Sequence, residues 1–128
     1  MEFKSVTTSY FDKRFSKLTS KNLAFKRQII NKLKSIRQNP EIGEPKVHEL
    51  RGLRSLHISE HFVVVYLIYK NLIIFINLDH HDKAYNSRTT KNLIERLSED
   101  KSTITALNKL EISKDDFAGF LSLLGKHK

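Results

Sequence analysis

Residues 50–85 read LRGLRSLHISEHFVVVYLIYKNLIIFINLDHHDKAY, and this stretch decides the fold. It contains three extended runs: Leu50 to Ser59, Phe62 to Tyr69, dominated by Val and Tyr, and Leu72 to Leu78, rich in Ile. Such residues suit a pleated, half-buried surface. Short polar turns at Ser59-Glu60 and Lys70-Asn71 link the runs. Turns that short join antiparallel neighbours, so the spacing predicts a three-stranded meander. The second and third runs are nearly all apolar rather than alternating, which predicts central strands covered on both faces.

Upstream of the meander, Phe3, Ser5 and Thr7 alternate with Lys4 and Val6 as a short first strand. Ser9 with Asp12 has capping-box spacing, and Phe11, Phe15 and Leu18 recur at helical intervals behind it. A second helix is expected from Ser20, with Leu23, Ile29, Ile30, Leu33 and Ile36 on one side, ending at Asn39-Pro40. Residues 39–46 hold both prolines and read as a loop. Downstream, Asn86 or Ser87 starts a helix carrying Leu93, Ile94 and Leu97, and a polar break spans Ser98 to Ser102. Ile104, Leu107 and Leu110 mark a further short helix; Ser113 with Asp116 caps a last one, carrying Phe117, Phe120, Leu121 and Leu124 and stopped by Gly125. The expected architecture is α+β: a strand and a two-helix hairpin packed on an antiparallel meander, with extra C-terminal helices. The hairpin can cover one sheet face only, leaving the other to the C-terminal helices or to a partner.

The chain has 128 residues and a mass of 15.0 kDa, enough for one modest core and effectively excluding a two-domain enzyme. With 39% apolar and 29% charged residues it has the composition of a folded chain rather than a disordered one. Its apolar runs are too short for a bilayer and its N-terminus lacks a signal-peptide core, so a cytoplasmic protein without a membrane partner is expected. The absence of cysteine removes disulfides, thiolate metal sites and thiol nucleophiles, and four glycines argue against Gly-rich phosphate loops. The net charge of +9 is unevenly placed: residues 1–98 carry 18 Lys and Arg against 9 Asp and Glu, whereas residues 99–128 carry 5 of each. Residues 1–38 alone hold +8. Such an excess is an electrostatic footprint for nucleic acid or for an acidic protein partner.

Five of the six histidines, His48, His57, His61, His80 and His81, fall within 34 residues, and the sixth, His127, is in the tail. In a meander the end of the first strand, the start of the second and the end of the third share one edge. His57, His61, His80 and His81 are therefore expected to converge there, with Asp79 and Asp82 beside them. Three readings of such a cluster compete. In the first it cleaves RNA without metal: a base takes the ribose 2′-OH proton, that oxygen attacks the adjacent phosphorus, and an acid protonates the departing 5′-oxygen. Histidine suits both transfers because its unperturbed pKa of about 6.5 lies near working pH. In the second, His80, Asp82 and His57 ligate Zn or Mn, but no His-Glu-x-x-His helix and no cysteine support it. In the third, the histidines form a hydrogen-bonded polar rim.

The blocks NPEIGEPKVHELRGLRSLHIS, HFVVVYLIYKNLIIFINL and HHDKAY, in that order and spacing, resemble the RelE/ParE superfamily of type II toxin–antitoxin toxins, particularly RelE-type and YafQ-like mRNA interferases. The resemblance covers about residues 1–90 and implies the same strand, two-helix and meander order read above. It implies residues 1–98 as a toxin core with 99–128 as a helical extension of the same domain. It further implies an endoribonuclease that inhibits translation by cleaving mRNA at the ribosome, neutralised by a cognate antitoxin, as a homodimer or a toxin–antitoxin hetero-oligomer, with no cofactor and no metal. By position, His48 and His57 resemble the histidines that YafQ-like enzymes place before and within the first meander strand. His81 resembles the histidine after the last strand, and Tyr85 the aromatic that closes the site and stacks on a base. His61 falls where those enzymes carry an acidic residue, and Phe62 where they carry an aromatic one.

The implied catalytic set is thus His81 as acid or base, His57 as its counterpart or as a phosphate ligand, Arg54 as electrostatic stabiliser, and Tyr85, His48, His80 and Asp82 around them. Lys46, Arg51, His61, Phe62 and Lys83 are the implied RNA contacts. The chain departs from RelE-type members at two places. An arginine of the middle meander strand is replaced by Val63, and another after the last strand by the Asp79-His80-His81-Asp82 run. The alternative is therefore a catalytically silent module of the same fold, a ParE-like gyrase inhibitor or a regulator that binds nucleic acid or antitoxin.

Overall fold

The computed structural model describes residues 3–124, so Gly125 and His127 lie outside the described residues. Strand β1 (Lys4–Thr7) leads into helices α1 (Ser9–Thr19) and α2 (Leu23–Gln38). A two-residue strand β2 (Glu44–Pro45) precedes the meander strands β3 (Leu53–His57), β4 (Phe62–Tyr69) and β5 (Leu72–His80). One helical turn, α3 (His81–Ala84), then α4 (Ser87–Glu95), α5 (Lys101–Lys109) and α6 (Lys114–Leu123) complete the order. The strand order is β1-β5-β4-β3-β2, with β3, β4 and β5 antiparallel and β1 joining β5 in parallel, Lys4 opposite Leu72 and Thr7 opposite Phe75. The α+β architecture is the one expected, and the parallel edge strand makes the sheet mixed.

Local chemistry moved several boundaries. Thr8, not Ser9, caps α1: its hydroxyl accepts from the Phe11 N–H at 3.0 Å, while the Ser9 N–H donates to Asp100 Oδ1. Helix α2 begins at Leu23 rather than Ser20, because the Ser20 N–H still closes α1 on the Ser16 carbonyl and Asn22 then caps the new helix. Residues 39–46 are not all loop, since Glu44 and Pro45 pair with Ser55 and Arg54. Proline lacks an N–H, and an outer strand is where a sheet tolerates it. The first meander strand is shorter than expected: Leu50 closes a 3₁₀ turn, and the chain enters β3 through Gly52 at φ 101°, a conformation that favours glycine. The third is longer, running to His80.

Both faces of the meander are buried, as its nearly continuous apolar runs require. Phe11, Ile29, Leu33 and Ile36 of α1 and α2 pack on Val64, Tyr66, Ile73 and Phe75. The alternate residues Val63, Val65, Leu67 and Ile74 face Ile94, Leu97, Leu107 and Phe117 from the C-terminal segment. The second face is thus covered by the chain's own helices. Tyr66 ties the first layer to the loop: its buried hydroxyl donates to the Pro40 carbonyl and accepts from the Gly43 N–H. Burial pushes the Tyr66 phenol above its ordinary pKa, with the Gly43 bond and the nearby Arg54 opposing the shift. A Cβ at Gly43 would collide with that hydroxyl, which explains a glycine there.

Asp100 joins the two ends of the chain. Its Oδ2 accepts from the Thr103 N–H at 3.0 Å and from the Thr103 hydroxyl at 2.8 Å, capping α5, while Oδ1 takes the Ser9 N–H at 3.0 Å. Burial pushes its pKa up, but the hydrogen bonds from Ser9 and Thr103 outweigh this and hold the carboxyl below its ordinary value. Its stabilisation is therefore present above the unfolded carboxyl pKa of about 3.9 and lost as pH falls through the lower folded value. Asp100→Ala is expected to cost about 1–2 kcal/mol at pH 7. Urea titrations of both proteins should show that gap narrowing below about pH 4, the unfolded carboxyl range; a gap that widens there would contradict this role.

Candidate functional site

Sheet register brings the histidines together. His57 ends β3 opposite Val63, and Phe62 opens β4 opposite His80. One step further the His81 N–H donates to the His61 carbonyl at 2.7 Å, extending the ladder past the last strand pair. His57 and His81 ring centroids lie 6.5 Å apart, His61 and His80 5.7 Å, His61 and His81 6.3 Å, and His80 and His81 4.6 Å. His57 and His61 are exposed and His80 and His81 partly so, which leaves the imidazoles open to solvent.

Asp82 organises this group. Its Oδ1 lies 3.0 Å from His81 Nδ1, and its Oδ2 3.6 Å from His80 Nδ1. At His81 the carboxylate beside Nδ1 favours the proton on that nitrogen and leaves the Nε2 lone pair for chemistry, whereas His80 Nδ1 accepts the Asp82 N–H at 3.4 Å. One turn of α3 later, the Tyr85 hydroxyl meets Ser55 Oγ at 3.2 Å, and Lys46 Nζ sits 4.0 Å above the Tyr85 ring. Ser55 is two residues before His57 and so shares its face of β3, about 7 Å away along the strand. His57, Ser55, Tyr85 and Lys46 therefore continue one surface from the histidine cluster.

The structure does not bring every implied residue there. Arg54 lies between Leu53 and Ser55 and so points to the opposite face of β3. Its Nη1 donates to the carbonyls of Glu41 at 3.1 Å and Gly43 at 2.7 Å, pinning the 39–46 loop. His48, at φ 57°, and Arg51 lie in the turns before β3, at the strand end remote from His57. Phe62, by contrast, does lie at the cluster: it packs edge-on against Phe25 at 5.2 Å and against His80 at 5.8 Å, bracing that imidazole from the α2 side. Lys83 is exposed on α3.

Arg14 was not singled out in the sequence, yet it reaches the same sheet end. Its Nη2 donates to Asp79 Oδ1 at 2.9 Å, and that oxygen also accepts the His80 N–H at 2.8 Å. Both side chains are largely buried, at 19% and 9% exposure. The pair thus fixes the backbone that presents His80 and His81. A signal existed: Arg14 stands three residues after Phe11 and four before Leu18, on the apolar stripe of α1. Ser55 had one too, the period-2 spacing to His57.

Residues 8–85 match the family model described as the ParE toxin of the type II toxin–antitoxin system parDE. A protein of Methanocaldococcus jannaschii that bears the provisional name toxin RelE4 is 32% identical over 79 residues, spanning 60% of this chain and 84% of that protein. Among solved structures, the YoeB/ParE toxin from Agrobacterium tumefaciens superposes with a TM-score of 0.56 at 17% identity, over 61% of this chain and 98% of that one. A chain of the YoeB-YefM complex from Staphylococcus aureus gives 0.55 at 20% identity, over 63% and 99%. The family match ends at Tyr85, before α4 begins.

Proposed function

The chain belongs to the RelE/ParE superfamily of type II toxin–antitoxin toxins, and from that premise we propose that it is an endoribonuclease that cleaves mRNA by metal-independent acid–base chemistry. The superfamily holds both endoribonucleases and non-catalytic ParE toxins, so the choice rests on the site. The observation that carries it is the imidazole pair: His81, with Nδ1 held by Asp82 at 3.0 Å, faces His57 across 6.5 Å. An imidazole on each side of one phosphorus supplies the base for the 2′-OH and the acid for the departing 5′-oxygen. Lys46 and Tyr85 lie on the adjoining surface for phosphate and base contacts, and Arg14 holds the strand end in place. Products would be a 2′,3′-cyclic phosphate and a 5′-hydroxyl.

The +8 charge of residues 1–38 has two uses in this reading, steering RNA or the ribosome to the histidines and attracting an acidic cognate antitoxin. Among the described residues no helix is long and apolar enough to cross a membrane. An mRNA target places the protein in the cytoplasm. The reading of residues 99–128 as an extension of the same domain as the toxin core is supported by Leu107 of α5 and Phe117 of α6, which pack in one cluster with the sheet residues Val63, Val65 and Leu67.

The non-catalytic reading draws on a specific observation: Val63 is fully buried where RelE-type members resemble one another in carrying arginine, and Arg54 is spent on backbone carbonyls. Expression with and without the neighbouring open reading frame, followed by mapping of RNA ends in arrested cells, separates the two. The nuclease predicts new 2′,3′-cyclic phosphate ends that vanish when the antitoxin is co-expressed. Growth arrest with no new RNA ends would establish the silent module instead.

A further inference from the structure

We propose that His61, His80 and His81 form a binding site for a divalent transition-metal ion of the zinc, copper and nickel class, whose occupancy shuts off the proposed acid–base site. In sequence these residues show no ligand spacing, because His61 belongs to the β3–β4 turn and the other two to the β5–α3 junction. Folding closes that gap. Each ring offers one nitrogen, and these three nitrogens all lie within 4.8 Å of one another. Metal–imidazole bonds of about 2.0–2.1 Å in a tetrahedral site place such nitrogens about 3.4 Å apart, a closure that exposed side-chain rotation supplies. His61 is 61% exposed and His80 and His81 are 38% and 34% exposed, so the rings can turn and an ion can enter.

The donor set selects the ion. Three neutral imidazoles suit Zn²⁺, Cu²⁺ and Ni²⁺, whereas Mg²⁺ and Ca²⁺ require oxygen ligands. The surroundings add what such a site uses: Asp82 Oδ1 lies 3.0 Å from His81 Nδ1, across the ring from Nε2. A carboxylate on the far nitrogen fixes the tautomer and strengthens the ligating one. Three ligands also leave a fourth position open.

The regulatory consequence rests on the nuclease reading; the metal site itself does not. A nitrogen of His81 committed to a metal cannot carry or accept the proton that the proposed transfer needs. Metal therefore acts as an inhibitor of metal-independent chemistry.

The test uses the full chain stripped with EDTA and then titrated with Zn²⁺ against a chromophoric chelator, with no RNA present. One ion per chain is expected, and His61→Ala should weaken binding by at least about 10–100-fold, the loss that even an outer partner of a ligand causes. His127→Ala should leave the stoichiometry at one. Circular dichroism of His61→Ala confirms that an unfolded variant is not the cause of any loss. No binding by the wild type, or equal binding by His61→Ala, overturns the site. In a parallel RNA assay, cleavage that continues unchanged at saturating Zn²⁺ overturns the inhibition. Stoichiometric binding by a protein that never cleaves RNA would instead overturn the nuclease reading and leave the metal site standing.

Discussion

Replacing His81 by alanine is expected to lower the rate of RNA cleavage by about 10²–10⁴-fold, the usual contribution of a positioned acid or base, with the fold intact. The fold should survive because the His81 side chain is 34% exposed, and the bond that extends the sheet ladder uses its backbone N–H, not its ring. Loss should appear in kcat more than in KM, since the imidazole acts on the proton in flight rather than on bound RNA. His57→Ala should fall in the same range if it supplies the second transfer. The double variant should then lose far less than the product of the two, as groups that act as a unit do. Cells expressing His81→Ala should no longer arrest. RNA cleaved by purified His81→Ala at the wild-type rate would remove this residue from the mechanism.

The convergence behind that prediction was legible because a meander has so few degrees of freedom. Once β4 and β5 were placed by their Val- and Ile-rich runs and two short turns, the ends carrying His57, His61, His80 and His81 had nowhere else to go. What stayed hidden was set by contacts between distant segments. Thr8 rather than Ser9 caps α1 because Asp100, 91 residues away, claims the Ser9 N–H. The pairing of Glu44 and Pro45 depends on Arg54 and Tyr66 gripping the loop from the sheet, and no local propensity reports that. Arg54 shows a second limit: its type suits phosphate, but strand parity turns it to the face opposite Ser55 and His57, where backbone carbonyls occupy it. Arg14 shows the converse, a cation on an apolar stripe that pattern reading counts as surface charge and the fold pairs with Asp79.

The second large effect is on stability. Phe117→Ala is expected to cost about 3–5 kcal/mol, out of the roughly 5–15 kcal/mol by which domains are stable. Phe117 is fully buried in α6, and its ring meets Tyr69 edge-on with centroids 5.1 Å apart. Removing it opens a cavity between α6 and the sheet face formed by Val63, Val65 and Leu67. At about 2–8 °C per kcal/mol, the melting temperature should fall by at least about 6 °C. Leu123→Ala, at 66% exposure on the same helix, should shift stability by no more than about 0.5 kcal/mol and serves as the reference. The consequence reaches function, because the cluster that contains Phe117 also contains Val63, across from His57, and Ala84, beside Tyr85. A loosened α6 exposes the apolar strands β4 and β5, so the variant should also aggregate on warming. Equal denaturation midpoints for Phe117→Ala and wild type would mean that α6 does not hold this sheet face closed, and that the C-terminal helices stabilise nothing the meander lacks on its own.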